Sequence, residues 1–458
     1  MKKPSILLVL LLAGAALALL SLRVGQAPQI AISPSAKTIG MRGSVVVTVI
    51  AGGRGLAAVR VEVEQKGRTT VVARSDHRPL AAWAFRGAHQ TKDEIQAEVG
   101  RAAVPDLADG EAIVRVVAER APTWLRHPDP VVRELKLPVR LAPPSLALVS
   151  TQHYVAQGGS GIVVYRVGEG ASRDGVRAGS WFFSGRPLPG AAAGERFALF
   201  GVPWDLADAK TVRLIAEDEA GNVSEVAFVD RFFPKPPDSD RIQLQDDFLN
   251  RVVSEIMAQS PGLADRGNLL DNYLQINREL RRRNAAELVE LSRRSEARFL
   301  WQDPFQPLRN AKVMSSFADQ RSYVYAGKEV DQQTHLGYDL AVTARTPVTA
   351  ANRGIVKLAR YFGIYGNTVV VDHGFGLMTL YAHLSSIDVR EGQEVDRGAV
   401  VGRSGRTGLA GGDHLHFTTL VGGLPVRPTE WWDPHWIHDR VATRLAPGVA
   451  FQGELAVK

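Results

Sequence analysis

Two periodicities divide this chain. From about residue 28 to 144, apolar and polar residues alternate. "GSVVVTVIAGG" and "VRVEVEQKG" carry the pattern, and "EAIVRVVAERA" and "LKLPVRLAPP" continue it, with paired glycines between runs. A period of two predicts strands with one buried face. Pro143-Pro144 closes the region. Residues 145–237 repeat the theme in "SGIVVYRVGE", "SWFFSG" and "TVRLIAEDEAGNVSEVAFVDRFF", where Gly221-Asn222 suits a tight hairpin. Two tandem β-sandwiches of the immunoglobulin-like type fit these lengths. Such a fold carries no function by itself.

After the Pro-rich "FFPKPPDSD" the period changes. Leu244, Phe248, Val252 and Ile256 recur every four residues, with Leu249 and Val253 beside them. That spacing predicts an amphipathic helix, stopped at Ser260-Pro261-Gly262. A second helical stretch is expected over about 269–299, within "INRELRRRNAAELVELSRRSEARF". Its arginines read as a solvated helix face, or as an arm that touches cell wall or membrane. Residues 238–302 are thus expected to be a helical linker that spaces the β-domains from a β-rich, Gly-rich final domain at 303–458. The fold class expected is mainly β and multidomain.

The N-terminus reads "MKKPSILLVLLLAGAALALLSLRVGQ". Lys2 and Lys3 precede an apolar run from Ile6 to Leu22, the charged-then-apolar order of an export signal. Residues 1–27 are expected to anchor the chain in the inner membrane with the lysines inside. Cleavage after Ala18, behind Ala16-Leu17-Ala18, is the alternative. Either way the bulk of the chain is expected outside the cytoplasm, on the periplasmic side of a cell envelope.

Composition narrows the chemistry. At 458 residues the chain is too long for one ordinary core. A net charge of +7 and a pI near 9.6 favour an anionic partner. No long Lys/Arg block is present, so nucleic acid is not expected as a partner. With no cysteine, thiolate metal sites, disulfides and cysteine nucleophiles are excluded. Any metal must be held by His, Asp or Glu.

Seven of the eleven histidines fall after residue 303: His335, His373, His383, His414, His416, His435 and His438. In "GGDHLHF", His414 and His416 are two apart in an expected strand, so they share a face about 7 Å apart. One could bind a metal while the other reaches a group on it, or both could be ordinary strand residues. In "THLGYDLA", His335 and Asp339 are four apart. A straight strand would separate them by about 13 Å, so a bend is needed, and Gly337 can supply it. His and Asp ligands suit zinc. "LYAHLSS" adds His383, expected in a cleft, whereas His373 sits at a Gly-rich turn and reads as structural.

The stretch from about 311 to 436 resembles the lysostaphin-type, or LytM-type, zinc endopeptidases of the bacterial cell wall. The matching pieces are "SSF", "HLGYDLAVTARTPVTAANRGIV", "YGNTVVVDHGFGLMTLYAHLSSI", "EGQEVDRGAVVGRSGRTGLAGGDHLHF" and "PTEWW". The resemblance implies a compact antiparallel β-structure with an open groove. It implies one zinc ion held by His335, Asp339 and His416, with His383 and His414 as the catalytic pair. Peptidoglycan peptide is the implied substrate; the absence of cysteine and the expected anchor favour a D-Ala–diaminopimelate cross-link over a glycyl-glycine bond. Two departures stand out. Arg345 replaces the family's usual Gly before Thr-Pro, and "RSYVYAGKEVDQQ" is inserted ahead of His335. The insertion could shape or cover the groove until a protein regulator moves it. A rival reading is a catalytically silent regulator that activates other wall hydrolases.

Overall fold

The computed structural model describes residues 3–22, 24–81, 84, 86–123, 126–236 and 238–446. They are mainly β. The chain divides into two compact units, one of residues 1–144, 169–172 and 216–224, the other of residues 145–168, 173–215 and 225–458.

The first unit opens with helix α1 (Lys3–Leu22), whose Leu8 to Leu12 are exposed. Lys2 lies outside the described residues. Among the described residues no helix is long and apolar enough to cross a membrane. Beyond α1, a three-stranded sheet (Gln29–Pro34, Ser44–Ile50, Lys92–Glu98) and a four-stranded sheet (Leu56–Gln65, Arg68–Asp76, Gly110–Arg120, Val131–Val139) enclose one core. Val45, Val47, Val59, Val61, Val114 and Val116 fill it. These are the inward positions of the alternating runs, so the period of two does what the sequence led us to expect of it here.

The second unit is built on an eight-stranded sheet. Its path runs Lys312–Ser315, Tyr338–Ala341, Leu415–Val421, Leu377–Leu384, Asn367–Gly374, Gly354–Tyr361 and Glu394–Val395, and Leu424–Val426 pairs beside Leu415–Val421. The central strands are buried along their whole length except at Asn367. One face packs Val369, Val371, Tyr381 and Phe417 into a core with Trp301 and Trp431. The other face packs Val370, Met378, Leu380 and Leu420 against Leu288 and Leu291. Strands covered on both faces read as continuous apolar runs rather than alternation.

Leu288 and Leu291 belong to helix α4 (Arg281–Ser292), part of the segment expected as a linker. Helices α2 (Asp246–Gln259) and α3 (Leu269–Gln275) precede it, and a π turn (Ile276–Leu280) joins α3 to α4. α2 buries Leu249, Val252, Val253 and Ile256, the stripe its spacing predicts, in a core with Tyr273, Tyr323 and Ile364. The helices therefore form a layer on the sheet, because an amphipathic stripe must be buried somewhere. The preceding Ser239–Gln243 strand pairs in parallel with Asp319–Tyr325.

Residues 145–168 and 173–215 also join this unit's core. Phe197 meets Phe375 edge-on at 5.0 Å and Phe299 at 5.7 Å. The Ser160–Val167 strand, expected to alternate, is buried at Ser160 through Tyr165. At its start the Glu430 carboxylate accepts from Ser160 N (2.7 Å) and Ser160 Oγ (3.0 Å), and Trp431 Nε1 donates to the same hydroxyl at 3.1 Å.

Two outcomes are expected. A chain starting at residue 303 loses α4 and exposes Met378, Leu380 and Leu420, so it should bind hydrophobic dye and aggregate, whereas a chain starting at residue 145 should not. Burial pushes the Glu430 carboxyl up from 4.5 to about 7. The native state therefore binds the extra proton between these values, and Glu430's contribution to stability is fully present below pH 4.5 and lost as pH rises through about 7. Glu430→Gln should melt closer to wild type at pH 5 and gain relative to it at pH 8. A melting-temperature difference that does not move with pH would contradict this.

Candidate metal and catalytic site

Strand register assembles the site. His416 is the second residue of Leu415–Val421 and pairs with Asp339 on one side and Ala382 on the other. His335 ends the Lys328–His335 strand, and only Leu336 and Gly337 separate it from the next strand, which starts at Tyr338. His335 Nε2 lies 3.0 Å from Asp339 Oδ1, His416 Nδ1 lies 2.9 Å from the same oxygen, and the two ring nitrogens are 3.0 Å apart. The bend foreseen between His335 and Asp339 is there. Gly337 serves it by its size: a Cβ there would lie 2.6 Å from two atoms of the His416 ring and 2.7 Å from Thr418 Oγ1.

Outer hydrogen bonds fix the ring protons. His335 Nδ1 faces the Ser316 carbonyl at 2.9 Å, so it carries the proton and Nε2 keeps its lone pair. Thr418 Oγ1 spends its hydrogen on the Leu336 carbonyl at 3.0 Å and accepts from His416 Nε2 at 3.0 Å. His416 Nδ1 therefore also keeps its lone pair. With both rings neutral, two ring lone pairs and one carboxylate oxygen converge, a donor set that suits a cation at its centre. His335, Asp339 and His416 form the one three-residue group of this kind among the described residues. Two imidazoles and a carboxylate, each backed by an outer partner, match the donor set of a catalytic zinc site.

Asp339 anchors the trio. Its second oxygen, Oδ2, accepts from Arg321 Nη2 at 2.7 Å. Burial alone would raise its pKa, but with the rings protonated the charge and hydrogen bond of His335, with hydrogen bonds from His414 and His416, hold it well below the usual carboxylate range.

His383 and His414 stand beside the trio, their rings 4.9 Å apart. His383 donates Nδ1–H to the Thr407 carbonyl (2.8 Å) and His414 donates Nδ1–H to the Gly412 carbonyl (2.9 Å). Each is left with Nε2 as its second ring nitrogen, and that of His414 is 3.4 Å from Asp339 Oδ1. Burial, and then the charges of His414 and His416, hold His383 well below an ordinary histidine. Burial also acts against the charged form of His414, but the Asp339 carboxylate outweighs it and raises the pKa. His383 has φ 61°, a left-handed conformation that a non-glycine residue adopts at a cost of about 1–3 kcal/mol. All five residues singled out in the sequence line one cavity of about 340 Å³.

His373 lies elsewhere. It is buried between the Arg353 carbonyl and Thr379 Oγ1, both at 2.8 Å, and is structural. His435 is exposed and His438 pairs with Asp439 at 2.8 Å, both apart from the cavity. Arg345 occupies an exposed loop with φ 60°, the conformation a glycine takes without strain.

The insertion was expected to shape the groove, but sequence reasoning missed Arg321 and the helical residues of the opposite wall. The inserted segment forms a hairpin, Asp319–Tyr325 and Lys328–His335, closed by Ala326 (φ 48°) and Gly327 (φ 77°) as a primed turn. It delivers His335 on one arm and Arg321 on the other. Phe248 of α2, Tyr273 of α3 and Arg281 of α4 also line the cavity. The alternation in "RSYVYAGKEV" marks the hairpin, but no local pattern pairs Arg321 with Asp339.

Comparison with known proteins follows the same residues. A match to Peptidase family M23 covers residues 333–428. The chain is 46% identical over 92 residues to a peptidoglycan DD-endopeptidase, ShyA, of Vibrio cholerae, covering 20% of this chain and 21% of that protein. It is 43% identical over 94 residues to a DD-carboxypeptidase/endopeptidase, Mpg, of Neisseria meningitidis, covering 20% of this chain and 22% of that one. The match thus spans about a fifth of the length of these curated relatives. The solved catalytic domain of the antimicrobial peptidase lysostaphin from Staphylococcus simulans overlays with TM-score 0.21 at 22% identity, covering 31% of this chain and 96% of that one. The C-terminal part of the chain, which carries His335, Asp339, His383, His414 and His416, is a domain of peptidase family M23.

Proposed function

We propose that this protein is a zinc-dependent endopeptidase that hydrolyses peptide cross-links of peptidoglycan in the cell envelope. The observation that carries the reading is the convergence of His335 Nε2, His416 Nδ1 and Asp339 Oδ1, with two further histidines beside them. Those three side chains would hold one zinc ion. Zinc supplies a Lewis acid for the scissile carbonyl and makes water acidic enough to react near neutral pH. The chain's own contribution is positional. Arg321 and the histidines keep Asp339 ionised and oriented. The backbone carbonyls of Thr407 and Gly412 fix the rings of His383 and His414, so that a proton is held or moved at Nε2 of each. The burial of His383 keeps bulk water from its ring.

The substrate class follows from the relatives, two of which are named as acting on DD bonds. A net charge of +7 suits a fixed anionic polymer. The Lys2-Lys3 pair and the apolar run behind it support a periplasmic location, anchored at the inner membrane or exported after cleavage. The immunoglobulin-like reading of the two β-regions is part of this proposal and assigns them no ligand. The complete ligand set counts against a silent regulator.

The test uses the purified full chain. Bound zinc is quantified, and the protein is incubated with peptidoglycan sacculi with and without chelator, products being read by mass. Stoichiometric zinc and chelator-sensitive loss of cross-linked peptides are expected, and His416→Ala should lose both. His383→Ala should keep its zinc and slow turnover by about 10²–10⁴-fold. Normal cleavage by His383→Ala would remove its assigned role. A wild-type chain with neither zinc nor cleavage would sink the enzyme reading and promote the regulator.

A further inference from the structure

We propose that Arg281 is a specificity residue of this site, and that it binds a carboxylate on the substrate peptide. The inference rests on the endopeptidase reading above and names a feature of the substrate that the reading leaves open.

Arg281 is the first residue of α4, directly after the π turn. It lines the same cavity of about 340 Å³ as the five catalytic and ligand residues, from the helical side. Two of its nitrogens are fixed. Nε donates to the Asn277 carbonyl at 3.1 Å and Nη2 donates to Asn277 Oδ1 at 2.7 Å. Asn277 is itself fully buried, and its Nδ2 donates to Asp331 Oδ2 at 2.8 Å. The guanidinium is therefore held on a rigid neutral amide.

Its charge is not answered. Among the described residues Arg281 joins no ion pair, and its Nη1 makes no hydrogen bond. Asp331, on the hairpin, is already engaged by Arg278 Nε at 2.9 Å, by Asn277 and by Gln333. Arg321 makes the contrast: it lines the same cavity, but its charge is spent on Asp339. A preoriented guanidinium with a free nitrogen, in a cavity also walled by Phe248 and Ile364, is suited to receive a planar anion.

The reaction supplies that anion. A carboxypeptidase acts beside a terminal carboxylate by definition. In a DD bond the residue on the amine side has a D-centre that bears a carboxylate next to the scissile nitrogen. A receptor for this group would let the site read the class of bond while the histidines act on it.

The test compares two synthetic cross-linked peptides, identical except that this carboxylate is free in one and amidated in the other, with the zinc-loaded full chain. Wild type should favour the free acid by about 10- to 100-fold in kcat/KM, the range of a hydrogen-bonded charge pair. Arg281→Gln should bring the ratio towards one, and Arg281→Lys should restore part of it. Arg282→Gln, at the exposed neighbour, should keep the wild-type ratio. Zinc content and melting temperature report whether each variant is folded. Equal turnover of both peptides by wild type would overturn the proposal without any variant. So would an Arg281→Gln variant that loses activity on both peptides in equal proportion, which is what a purely structural arginine would give. If wild type cleaves neither peptide, the endopeptidase reading fails by itself. Calorimetric binding of the acid and amide product peptides then still decides on Arg281: a preference for the acid that Arg281→Gln abolishes supports it, and no preference overturns it.

Discussion

The carboxylate of Asp339 is the constraint around which this site is built. One oxygen faces three histidine nitrogens, at 2.9, 3.0 and 3.4 Å, and the other is pinned by Arg321 at 2.7 Å. A buried carboxylate is costly unless its charge is matched and its lone pairs are used. Here the same partners do both. The arrangement exists only in one register, with Asp339 opposite His416. Because side chains alternate faces, a slip of one residue would turn Asp339 from the helix-covered face, which it shares with His416, to the face packed on Trp301 and Trp431. Forming the central sheet therefore brings Asp339 and His416 together, while the hairpin adds His335 and Arg321 and the loop before His414 fixes the other two rings.

What could be read in the sequence was what depends on short spacing. The two-residue step in "HLH" and the glycine inside "HLGYD" lead directly to a shared face and a bend. The four positions named from these motifs, with His383 from "LYAHLSS", line one cavity. The reason for Gly337 was not legible. It was expected to supply backbone freedom, yet what it supplies is room for the His416 ring, which is 81 residues away from His335 along the chain. The left-handed backbone of His383 and Arg345 was hidden for the same reason. Such strain is imposed by tertiary contacts, and composition at the site gives no sign of it.

The helical segment shows a second kind of limit. Its amphipathic stripe was visible, but a stripe says only that something covers it. The sheet it covers has strands buried on both faces, where alternation disappears and the apolar run no longer points to a partner. "LMTLYAHL" is buried at every position, so from sequence its Met378 and Leu380 cannot be told apart in role from Leu377 and Tyr381. In the structure they lie on opposite faces, one against α4 and the other in the tryptophan-rich core.

The arginine run makes the point most sharply. "RRRN" was read as a single solvated face. In α4 the inward stripe is Arg281, Asn284, Leu288 and Leu291, spaced three, four and three, while Arg282 and Arg283 are exposed. The stripe changes character along its length. Leu288 and Leu291 rest on the sheet, and Asn284 accepts from Ile364 N at 3.1 Å. Arg281 comes last, where the sheet ends and the cavity begins. The π turn before it widens the helix by one residue, which lets Ile276, Asn277 and Leu280 all face inward. Asn277 can then serve as the rest for the guanidinium. One face of one helix thus carries apolar groups where it must stabilise the sheet and a cation where it meets the cavity. The change from leucine to arginine marks the point at which packing gives way to recognition.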